Sequence, residues 1–349
     1  MRAMVTGGAG FIGSNLVRAL LQRGVEVSVL HLPGDNLINL RGLDVRLVPG
    51  SVLDSSAVRR ALEGCRQLYH LAAIFALWLP DMDLMRRVNV EGTVNVLKTA
   101  RALGIEKTVY CSSIALFGGQ GPGRLATEDS PYALGDTGSY YAETKKMAHD
   151  AVLDIAREGM NITIAAPCGP LGPGDYGPTP TGRALTSAIN LPVALHIDTV
   201  SNMIDVRDVA EGHVLAMEKG APGRSYLLGR HNISYGELSA MALRFAGLRK
   251  PVIRPPRFLR FFAGHAARAY SRIISRRPPL LTPAEVRIAE KGLAADCSRA
   301  ERELGLSVRP LEVSVRDALV WFSRNGYITH KKGLQNILRG GDNPLPADL

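Results

Sequence analysis

Short apolar segments alternate with segments of helical periodicity along the first half of this chain, and that alternation restricts its fold more than any other feature. Parallel strands joined by helices form a sheet that is covered on both faces and wound in the right-handed sense. The predicted strands lie at 2–5, 25–31, 45–48, 67–72, 107–112 and 161–166, and the predicted helices at 11–23, 55–63, 83–103 and 139–158. The sequence therefore predicts an α/β fold with a doubly wound parallel sheet over residues 1–166.

The pattern changes after Pro167, where prolines and glycines recur as far as Gly182 and no regular element is expected. Beyond this segment the predicted elements are mostly helical, at 209–219, 234–246, 257–274, 283–291, 298–304 and 311–325. We expect residues 167–328 to form a smaller, mostly helical substrate-binding lobe over the carboxyl ends of the strands, where α/β folds bind ligands. Residues 329–349 are polar and rich in glycine and proline, and are predicted to be a flexible tail.

Composition limits the class of protein. The 349 residues are 46% hydrophobic and 21% charged, which excludes a disordered chain and provides enough length for two domains. The longest apolar run, 71–79, is shorter than the roughly 20 residues that span a bilayer. Neither a metal site nor a disulfide framework is predicted, because the cysteines are far apart and form no C-x-x-C pair: Cys65, Cys111, Cys168 and Cys297. We expect a folded, cytoplasmic protein.

The net charge of +10 is concentrated in one segment. Residues 249–277 contain nine basic residues and no acid, and taking these nine charges away leaves +1 for the rest of the chain. On a helix this segment would have two different faces. One is basic, with Arg260, Arg268, Arg272 and Arg276, and the other is apolar, with Phe258, Phe262, Ala266, Ala269, Tyr270 and Ile273. Two interpretations stay open, a peripheral contact with an anionic membrane and an ordinary lobe helix with a solvated basic face. The basic residues do not alternate with aromatic ones as in a nucleic-acid groove, so nucleic acid is not an expected partner.

A glycine-rich segment, Thr-Gly-Gly-Ala-Gly-Phe-Ile-Gly at 6–13, connects the first predicted strand to the first predicted helix. Glycine allows the backbone to turn tightly and to approach a pyrophosphate, and a glycine at the end of the segment allows the helix to pack closely on the strand. The N–H groups at the start of the helix then face the phosphates. A Rossmann-type dinucleotide site is therefore predicted at Gly7, Gly10, Phe11, Ile12 and Gly13.

The spacing of these glycines resembles that of the extended short-chain dehydrogenase/reductase family, also called the NAD-dependent epimerase/dehydratase family. Further segments match that family in order: Tyr-His-Leu-Ala-Ala at 69–73, Asn-Val-Glu-Gly-Thr at 89–93, the segment 111–118 that ends in Phe-Gly, and Leu-Gly-Pro-Gly-Asp at 171–175. The likeness is to the dihydroflavonol-reductase-like branch, which includes hopanoid-associated sugar epimerases and relatives of hydroxysteroid dehydrogenases. The resemblance implies a homodimer, NAD or NADP as cofactor, and cofactor contacts from Leu71, Ala72, Ala73, Lys145 and Pro167.

The family's catalytic residues are a Tyr, a Lys four positions later and a Ser on a neighbouring strand. Two Tyr-x-x-x-Lys pairs occur, and we interpret the pair at 141–145, which opens a predicted helix, as catalytic and the pair at 327–331, beside the predicted tail, as structural. Residues four apart share a helix face, so the ammonium of Lys145 is expected to lower the pKa of Tyr141 from about 10. The resemblance implies Ser113 as the third catalytic residue, rather than Ser112, from its distance to Gly118.

The choice between NAD and NADP stays open in the sequence. Leu-His-Leu stands at 30–32, where NAD enzymes usually carry an acid and NADP enzymes an arginine nearby. His31 is predicted either to contact a phosphate or merely to end the strand. The family's adenine-binding acidic segment appears at 50–54 with a serine in place of one acid, which leaves Asp54 as its candidate contact.

Three functions are compatible with these motifs. The first is an NAD(P)-dependent oxidoreductase that exchanges a hydride with a secondary alcohol or ketone of a hydrophobic, sterol-, isoprenoid- or flavonoid-like substrate, with Tyr141 as general acid or base. The second is a sugar-nucleotide epimerase or dehydratase with tightly bound NAD, but Ala-Pro-Cys at 166–168 departs from the Arg and Asn that flank this proline in such enzymes. The third is a non-catalytic dinucleotide-binding protein, which the intact Ser, Tyr and Lys argue against. We therefore predict the first.

Overall fold

The computed structural model describes residues 1–76, 79, 81–196, 199–270 and 282–341. The strands are β1 (Arg2–Thr6), β2 (Glu26–His31), β3 (Arg46–Pro49), β4 (Gln67–His70), β5 (Lys107–Cys111), β6 (Ile162–Pro167), β7 (Gly169–Leu171), β8 (Ala194–Leu195), β9 (Val200–Asp205), β10 (Ser225–Leu228), β11 (His231–Ser234) and β12 (Val252–Ile253). The helices are α1 (Phe11–Gln22), α2 (Ser55–Leu62), α3 (Met82–Arg86), α4 (Gly92–Ala102), α5 (Tyr140–Arg157), α6 (Pro180–Asn190), α7 (Val206–Lys219), α8 (Tyr235–Phe245), α9 (Arg257–Tyr270), α10 (Pro283–Lys291), α11 (Leu311–Arg324) and α12 (Lys331–Gly341).

Seven strands form one parallel sheet in the order β3-β2-β1-β4-β5-β6-β10. Successive side chains of each strand point to opposite faces, so Val5 packs with α1 and α7 whereas Met4 packs with α2, α4 and α5. Both faces are thus covered, and the Rossmann-type fold predicted from the alternation is confirmed. The carboxyl ends of β1, β4, β5 and β6 lie side by side at one edge.

The sheet extends beyond the predicted boundary at residue 166. β10 pairs with β6 so that Leu227 lies opposite Ala166, and α7 packs against α1 on one face of the sheet. The chain therefore leaves the dinucleotide-binding domain after β6 and returns to it with one helix and one strand. The prediction missed this because β10 is only four residues long and finds its partner strand about sixty residues earlier in the chain.

Two regular elements occupy the proline- and glycine-rich segment where none was predicted. β7 pairs with β9, which also pairs with β11 in a small three-stranded sheet, while β8 pairs with β12. α6 begins at Pro180, and the Thr179 hydroxyl accepts the Gly182 N–H at 3.3 Å. Proline is compatible with the first turn of a helix because that turn needs no backbone donor there.

The prediction of a flexible tail is wrong for residues 331–341, which form α12. Leu334 and Ile337 pack into the apolar core of the lobe beside α8 and α11, and the Asn336 side chain donates to the Ala246 carbonyl at 2.8 Å. These two apolar residues are enough to hold α12 in place because α8 and α11 provide an apolar surface for them. The composition of the segment alone does not reveal that surface. Residues 342–349 of the predicted tail lie outside the described residues.

α9 carries the basic segment, but its orientation differs from the predicted separation of faces. Arg260, expected on a solvated basic face, is only 7% exposed, whereas Phe258 and Phe262 are 70% and 74% exposed. Gly264 explains the orientation, since a Cβ there would come within 3.3 Å of the Pro283 backbone nitrogen, and this close approach turns the face of residues 260 and 264 inward. The predicted face residues Arg272, Ile273 and Arg276 lie outside the described residues. Within the described ranges, no helix combines the length and apolarity needed to cross a bilayer.

Candidate active site

Two glycines of the loop between β1 and α1 stand where the backbone leaves no space for a side chain. Gly7 has a φ of +69°, and a Cβ on Gly13 would lie 2.1 Å from the Gly7 carbonyl oxygen. Gly10, at the N-cap of α1, offers no side chain to the first helical N–H groups, which leaves them available to a phosphate. The loop and the start of α1 line one end of a large cleft, with these residues on its wall: Gly7, Gly10, Phe11, Ile12 and Gly13.

A buried chain of hydrogen bonds holds the ends of β1 and β4 together below this loop. The Thr6 hydroxyl lies 2.7 Å from His70 Nδ1, and His70 Nε2 lies 2.9 Å from the Thr93 hydroxyl. Thr6 also accepts the N–H groups of Leu71 and Ala72 at 3.1 and 3.0 Å. Burial and the charge of Lys145 lower the pKa of His70 to about 3, so the imidazole is neutral and serves as a structural link.

Asn89 connects the segment after β4 to the helix that carries the predicted catalytic tyrosine. Its side chain accepts the Ile74 N–H at 2.7 Å and donates to the Ile74 carbonyl and the Thr144 hydroxyl, both at 3.1 Å. It stands in a π-helical turn, Arg87–Glu91, between α3 and α4, where one continuous helix was predicted. The family motif at 89–93 pointed to this residue, but only the structure shows what it holds.

The three predicted catalytic residues meet at the carboxyl end of β5. Tyr141 and Lys145 lie in the first two turns of α5, Ser113 lies near enough to Tyr141 to lower its pKa, and the Ser113 hydroxyl accepts the Ala115 N–H at 3.2 Å. Lys145 is buried, and its Nζ donates to the Cys111 carbonyl at 2.7 Å and to the Tyr110 hydroxyl at 3.2 Å.

Ser112 and the Tyr327–Lys331 pair, which the sequence offered as alternatives to the predicted catalytic residues, pack or form hydrogen bonds elsewhere in the protein. The Ser112 hydroxyl lies 3.2 Å from His149 Nδ1 in the core, which agrees with its assignment as structural. In the second Tyr-x-x-x-Lys pair, the Tyr327 hydroxyl donates to the Tyr176 carbonyl at 2.7 Å, and the Tyr327 ring stacks on Trp321. The Lys of that pair, Lys331, begins α12, so the pair belongs to the packing of the lobe.

Tyr141 retains its proton more strongly than the sequence predicted. Burial raises the pKa of Tyr141 above its ordinary value, although the charge of Lys145 and the hydrogen bond with Ser113 lower it. The predicted effect of Lys145 is present but smaller than that of burial. At neutral pH the phenol is therefore protonated and suited to donate a proton to a substrate oxygen.

The adenosine end of the cleft differs from the prediction at one residue. His31 lines this end, and its Nδ1 lies 3.0 Å from the Leu32 carbonyl. Asp54 instead caps α2, where its carboxylate accepts the Ser56 N–H at 2.8 Å, and the wall beside it is formed by residues 50–53. Asp35, which sequence reasoning missed, lines the cleft in the loop after β2 and accepts the Leu32 N–H at 2.9 Å. The sequence signal for Asp35 was its position four residues after the end of β2, close to where an NAD-binding acid is usually found.

The remaining predicted contacts lie on the wall between the glycine loop and Tyr141: Leu71, Ala72, Ala73 and Pro167. Phe75 follows them, 51% exposed, with its ring centroid 4.8 Å from that of Tyr141 and the two rings nearly perpendicular. Sequence reasoning missed Phe75, although its place two residues after a motif segment was a usable signal. It forms part of the entrance to the predicted catalytic tyrosine.

The cleft, of about 1690 Å³, runs from the glycine loop past Tyr141 into the lobe. That volume exceeds the ~300–1,000 Å³ of a common ligand site and allows a dinucleotide and a substrate together. Its residues fit a nicotinamide dinucleotide, because the absence of a Cβ at Gly7 and Gly13 allows the loop to pack tightly on neighbouring backbone and the start of α1 faces the cleft.

Comparisons with known proteins agree with this geometry. A model of the NAD dependent epimerase/dehydratase family matches residues 3–229. The putative dihydroflavonol 4-reductase of Synechocystis sp. is 35% identical over 328 residues, which cover 93% of this chain and 95% of that protein. Sterol demethylase protein B of Methylococcus capsulatus is 32% identical over 332 residues, which cover 94% of this chain and all of that protein. The crystal structure of gox2253 superposes with a TM-score of 0.83 at 33% identity, covering 94% of this chain and 99% of that chain.

The family match covers well over half of the chain, and the two relatives extend the likeness into the lobe. They confirm the dihydroflavonol-reductase-like resemblance and an NAD(P)-dependent enzyme of the extended short-chain type. Fold, cofactor cradle and sequence similarity lead to one conclusion: the chain belongs to the NAD dependent epimerase/dehydratase family.

Proposed function

We propose that this enzyme exchanges a hydride between a nicotinamide dinucleotide and a secondary alcohol or ketone on a hydrophobic substrate of sterol, isoprenoid or flavonoid type. The observation that carries the proposal is the apolar surrounding of Tyr141. Tyr141 packs against an apolar cluster of Ala115, Leu134 and Ala142, against which Ile288 and Leu293 also pack, and the Phe75 ring contacts the Tyr141 ring from the segment after β4. Such a wall suits a hydrophobic ring system better than a sugar.

Each catalytic side chain has a task that follows from its contacts. Tyr141 donates the proton to the carbonyl oxygen in the reductive direction, and Ser113 hydrogen-bonds the same oxygen. Lys145, oriented by the Cys111 carbonyl, keeps a positive charge beside Tyr141 and would hold the nicotinamide ribose. The bound dinucleotide supplies or accepts the hydride. The apolar residues around Tyr141 exclude water from the reacting oxygen.

NAD rather than NADP is the proposed cofactor. Among the described residues that line the adenosine end of the cleft, none is Lys or Arg, whereas Asp35 contributes a carboxylate. A carboxylate accepts hydrogen bonds from a ribose and repels the extra phosphate of NADP. We expect kcat/KM for NADH to exceed that for NADPH at least about tenfold, a preference that Asp35→Ser reduces. Equal use of both cofactors by the unaltered enzyme would contradict this assignment.

The test of the reaction follows NADH oxidation with a panel of neutral cyclic ketones, including 3-oxosteroids and flavanonols. Tyr141→Phe should lower kcat roughly 100- to 10,000-fold, because it removes the proton donor. Tyr140→Phe is the matched control, since Tyr140 is the preceding residue of α5 and not one of the described residues on the cleft wall. The pH profile of reduction should stay flat from pH 6 to 9, because burial holds the pKa of Tyr141 above its ordinary value of 10.0. Interconversion of sugar nucleotides with no net consumption of NADH would show an epimerase or dehydratase instead.

We also propose that the protein contacts anionic membranes next to the lobe end of the cleft. Phe258 and Phe262 on α9 are largely exposed, and Leu195 of β8 and its partner Ile253 of β12 are also exposed. This apolar surface occurs with the basic excess of residues 249–277, a combination that suits an anionic bilayer. Vesicles containing phosphatidylserine should retain the protein, and vesicles of phosphatidylcholine alone should not. Phe258→Ser with Phe262→Ser should greatly reduce this retention, because it removes the apolar contact, and failure of the unaltered protein to bind either vesicle would refute the proposal.

A homodimer joined through α4 and α5 is proposed from the family resemblance. Met147, an exposed apolar residue on α5, is the kind of side chain such a contact would cover. Sedimentation velocity should give about twice the monomer mass for the unaltered protein and a monomer for Met147→Glu. A monomer for the unaltered protein at micromolar concentration would refute the dimer.

A further inference from the structure

Arg260 is a buried guanidinium in the wall of the cleft. It is 7% exposed, and its Nε is shielded from solvent without a hydrogen-bond partner among the described residues. Burying an unpaired charge is costly unless another group neutralises it. The mechanism proposed above uses Tyr141, Lys145 and Ser113 and leaves Arg260 without a role.

The fold holds Arg260 in this position by two constraints. Gly264, one turn later on the same face of α9, packs against the backbone at the start of α10, which turns this face toward the protein. The chain enters α9 from β12, which is paired with β8. The inward position of Arg260 is therefore a consequence of backbone packing and not of a long side chain lying on the surface.

A second polar atom without a partner lies on the same side of the cleft. The buried Nδ1 of His196 makes no hydrogen bond to the described residues, and the His196 ring lies on the start of α8, where a Cβ on Gly236 would be 2.9 Å from the ring. The His196 backbone N–H donates to the Ile253 carbonyl at 3.1 Å, so this residue follows directly on the β8–β12 pair that precedes α9. Both side chains line the cleft at its lobe end.

The carboxylates on the cleft wall are already engaged elsewhere. Asp35 accepts a backbone N–H at the adenosine end, and Asp175 accepts hydrogen bonds from Thr179. Glu285 accepts the Thr282 N–H at 2.6 Å and lies 3.5 Å from Arg183. Because these carboxylates are engaged, the positive charge of Arg260 on the lobe wall has no counter-ion among the described residues. A ligand with a single negative charge would neutralise it.

We propose that Arg260 binds a carboxylate carried by the hydrophobic substrate at the end remote from the reacting carbon. The inference rests on the proposed function, because it assumes that the substrate fills the cleft from Tyr141 to the lobe. A guanidinium forms strong, charge-assisted hydrogen bonds with a carboxylate, and the apolar wall strengthens them by excluding water. A sugar-nucleotide diphosphate, with its two charges, suits this single guanidinium less well.

The test compares an acid with its ester by isothermal titration calorimetry, with the enzyme saturated with NAD⁺ so that no reduction occurs. The probes are 3-oxo-5β-cholan-24-oic acid and its methyl ester, which differ only at the end remote from the ketone. At pH 8 the unaltered enzyme should bind the acid roughly 10- to 100-fold more tightly than the ester. Arg260→Gln should bring this ratio to about 1, and Arg260→Lys should restore part of it. Arg249→Gln, which removes an exposed charge from the same segment, should retain the ratio of the unaltered enzyme.

Several results would overturn the proposal. Equal affinity for acid and ester, or no binding of either probe, would do so, as would an acid preference that survives in Arg260→Gln. Binding of uridine diphosphate that depends on Arg260, without a preference for the acid, would replace it with a nucleotide site. The measurement needs no turnover, so an acid preference in a protein that reduces no ketone would refute the proposed function and leave the carboxylate site supported.

Discussion

Asp175→Asn should make the stability of the protein less dependent on pH, because folding buries this carboxyl group. Asp175 is 3% exposed and accepts the Thr179 N–H at 2.9 and 3.1 Å and the Thr179 hydroxyl at 2.9 Å. Burial raises the pKa of Asp175 to about 6, although these hydrogen bonds lower it. These contacts stabilise the loop that leads into α6, and this loop forms part of the cleft wall.

The sign and size of the effect follow from the two pKa values. A carboxyl group with a higher pKa in the folded than in the unfolded state favours folding in its protonated form. Its contribution is complete below 3.8 and is lost as the pH rises through about 6. Between pH 4 and pH 6 the free energy of unfolding should therefore fall by about 2 kcal/mol relative to the Asn variant, which has no group to ionise at this position.

Urea unfolding at pH 4, 5, 6 and 7, followed by circular dichroism, measures this difference. Asp205→Asn is a control in which the pKa shift has the opposite sign. Burial raises the pKa of Asp205, but the hydrogen bond and charge of Arg207, 2.7 Å away, outweigh burial and hold this pKa below its usual value. Its contribution is present above the unfolded pKa and is lost as the pH falls, so the difference from the unaltered protein should have the reverse slope. A constant difference for Asp175→Asn from pH 4 to 7 would refute the reasoning.

Three further substitutions test the construction of the site. Gly13→Ala places a Cβ 2.1 Å from a carbonyl oxygen and should abolish measurable NADH binding in a fluorescence titration, whereas Gly340→Ala, whose Cβ meets no described atom within 4 Å, should not. Asn89→Ala removes three hydrogen bonds and should lower the free energy of unfolding by about 3 kcal/mol in urea; unchanged stability would disprove that link. Phe75→Ala removes the ring contact at the catalytic tyrosine and should lower kcat/KM about tenfold, and an unchanged value would contradict its role.

Local patterns located the glycine loop and the Tyr141–Lys145 pair because the residues of each are close in sequence. The glycine loop is a single turn between β1 and α1, and Tyr141 and Lys145 are one helical turn apart. Strand and helix periodicities extend over enough residues to be recognised, so the Rossmann-type fold followed from them. Sequence patterns of this kind depend on backbone geometry that every chain shares.

The predictions that failed depended on contacts between distant segments. Asp54 is the exception, because its carboxylate is occupied locally, by the N–H groups of Ser56 and Ala57 at the start of α2. α12 has a composition typical of a frayed tail but packs on a surface built by α8 and α11. The pKa of Tyr141 followed burial, a quantity that the four-residue spacing from Lys145 does not contain.

The sequence by itself determined the Rossmann-type fold, the glycine loop and the placing of Tyr141 and Lys145 on one helix face, because each depends on short-range spacing, whereas Ser113 was implied by the family resemblance. Only the tertiary structure decided that the chain returns to the sheet with β10 and that Tyr141 lies in an apolar pocket. It also decided that Arg260 faces the cleft, because the orientation of α9 is set by a close backbone approach at Gly264 rather than by the helix's own pattern. Periodicity shows that a helix has two different faces, and packing decides which of them is buried.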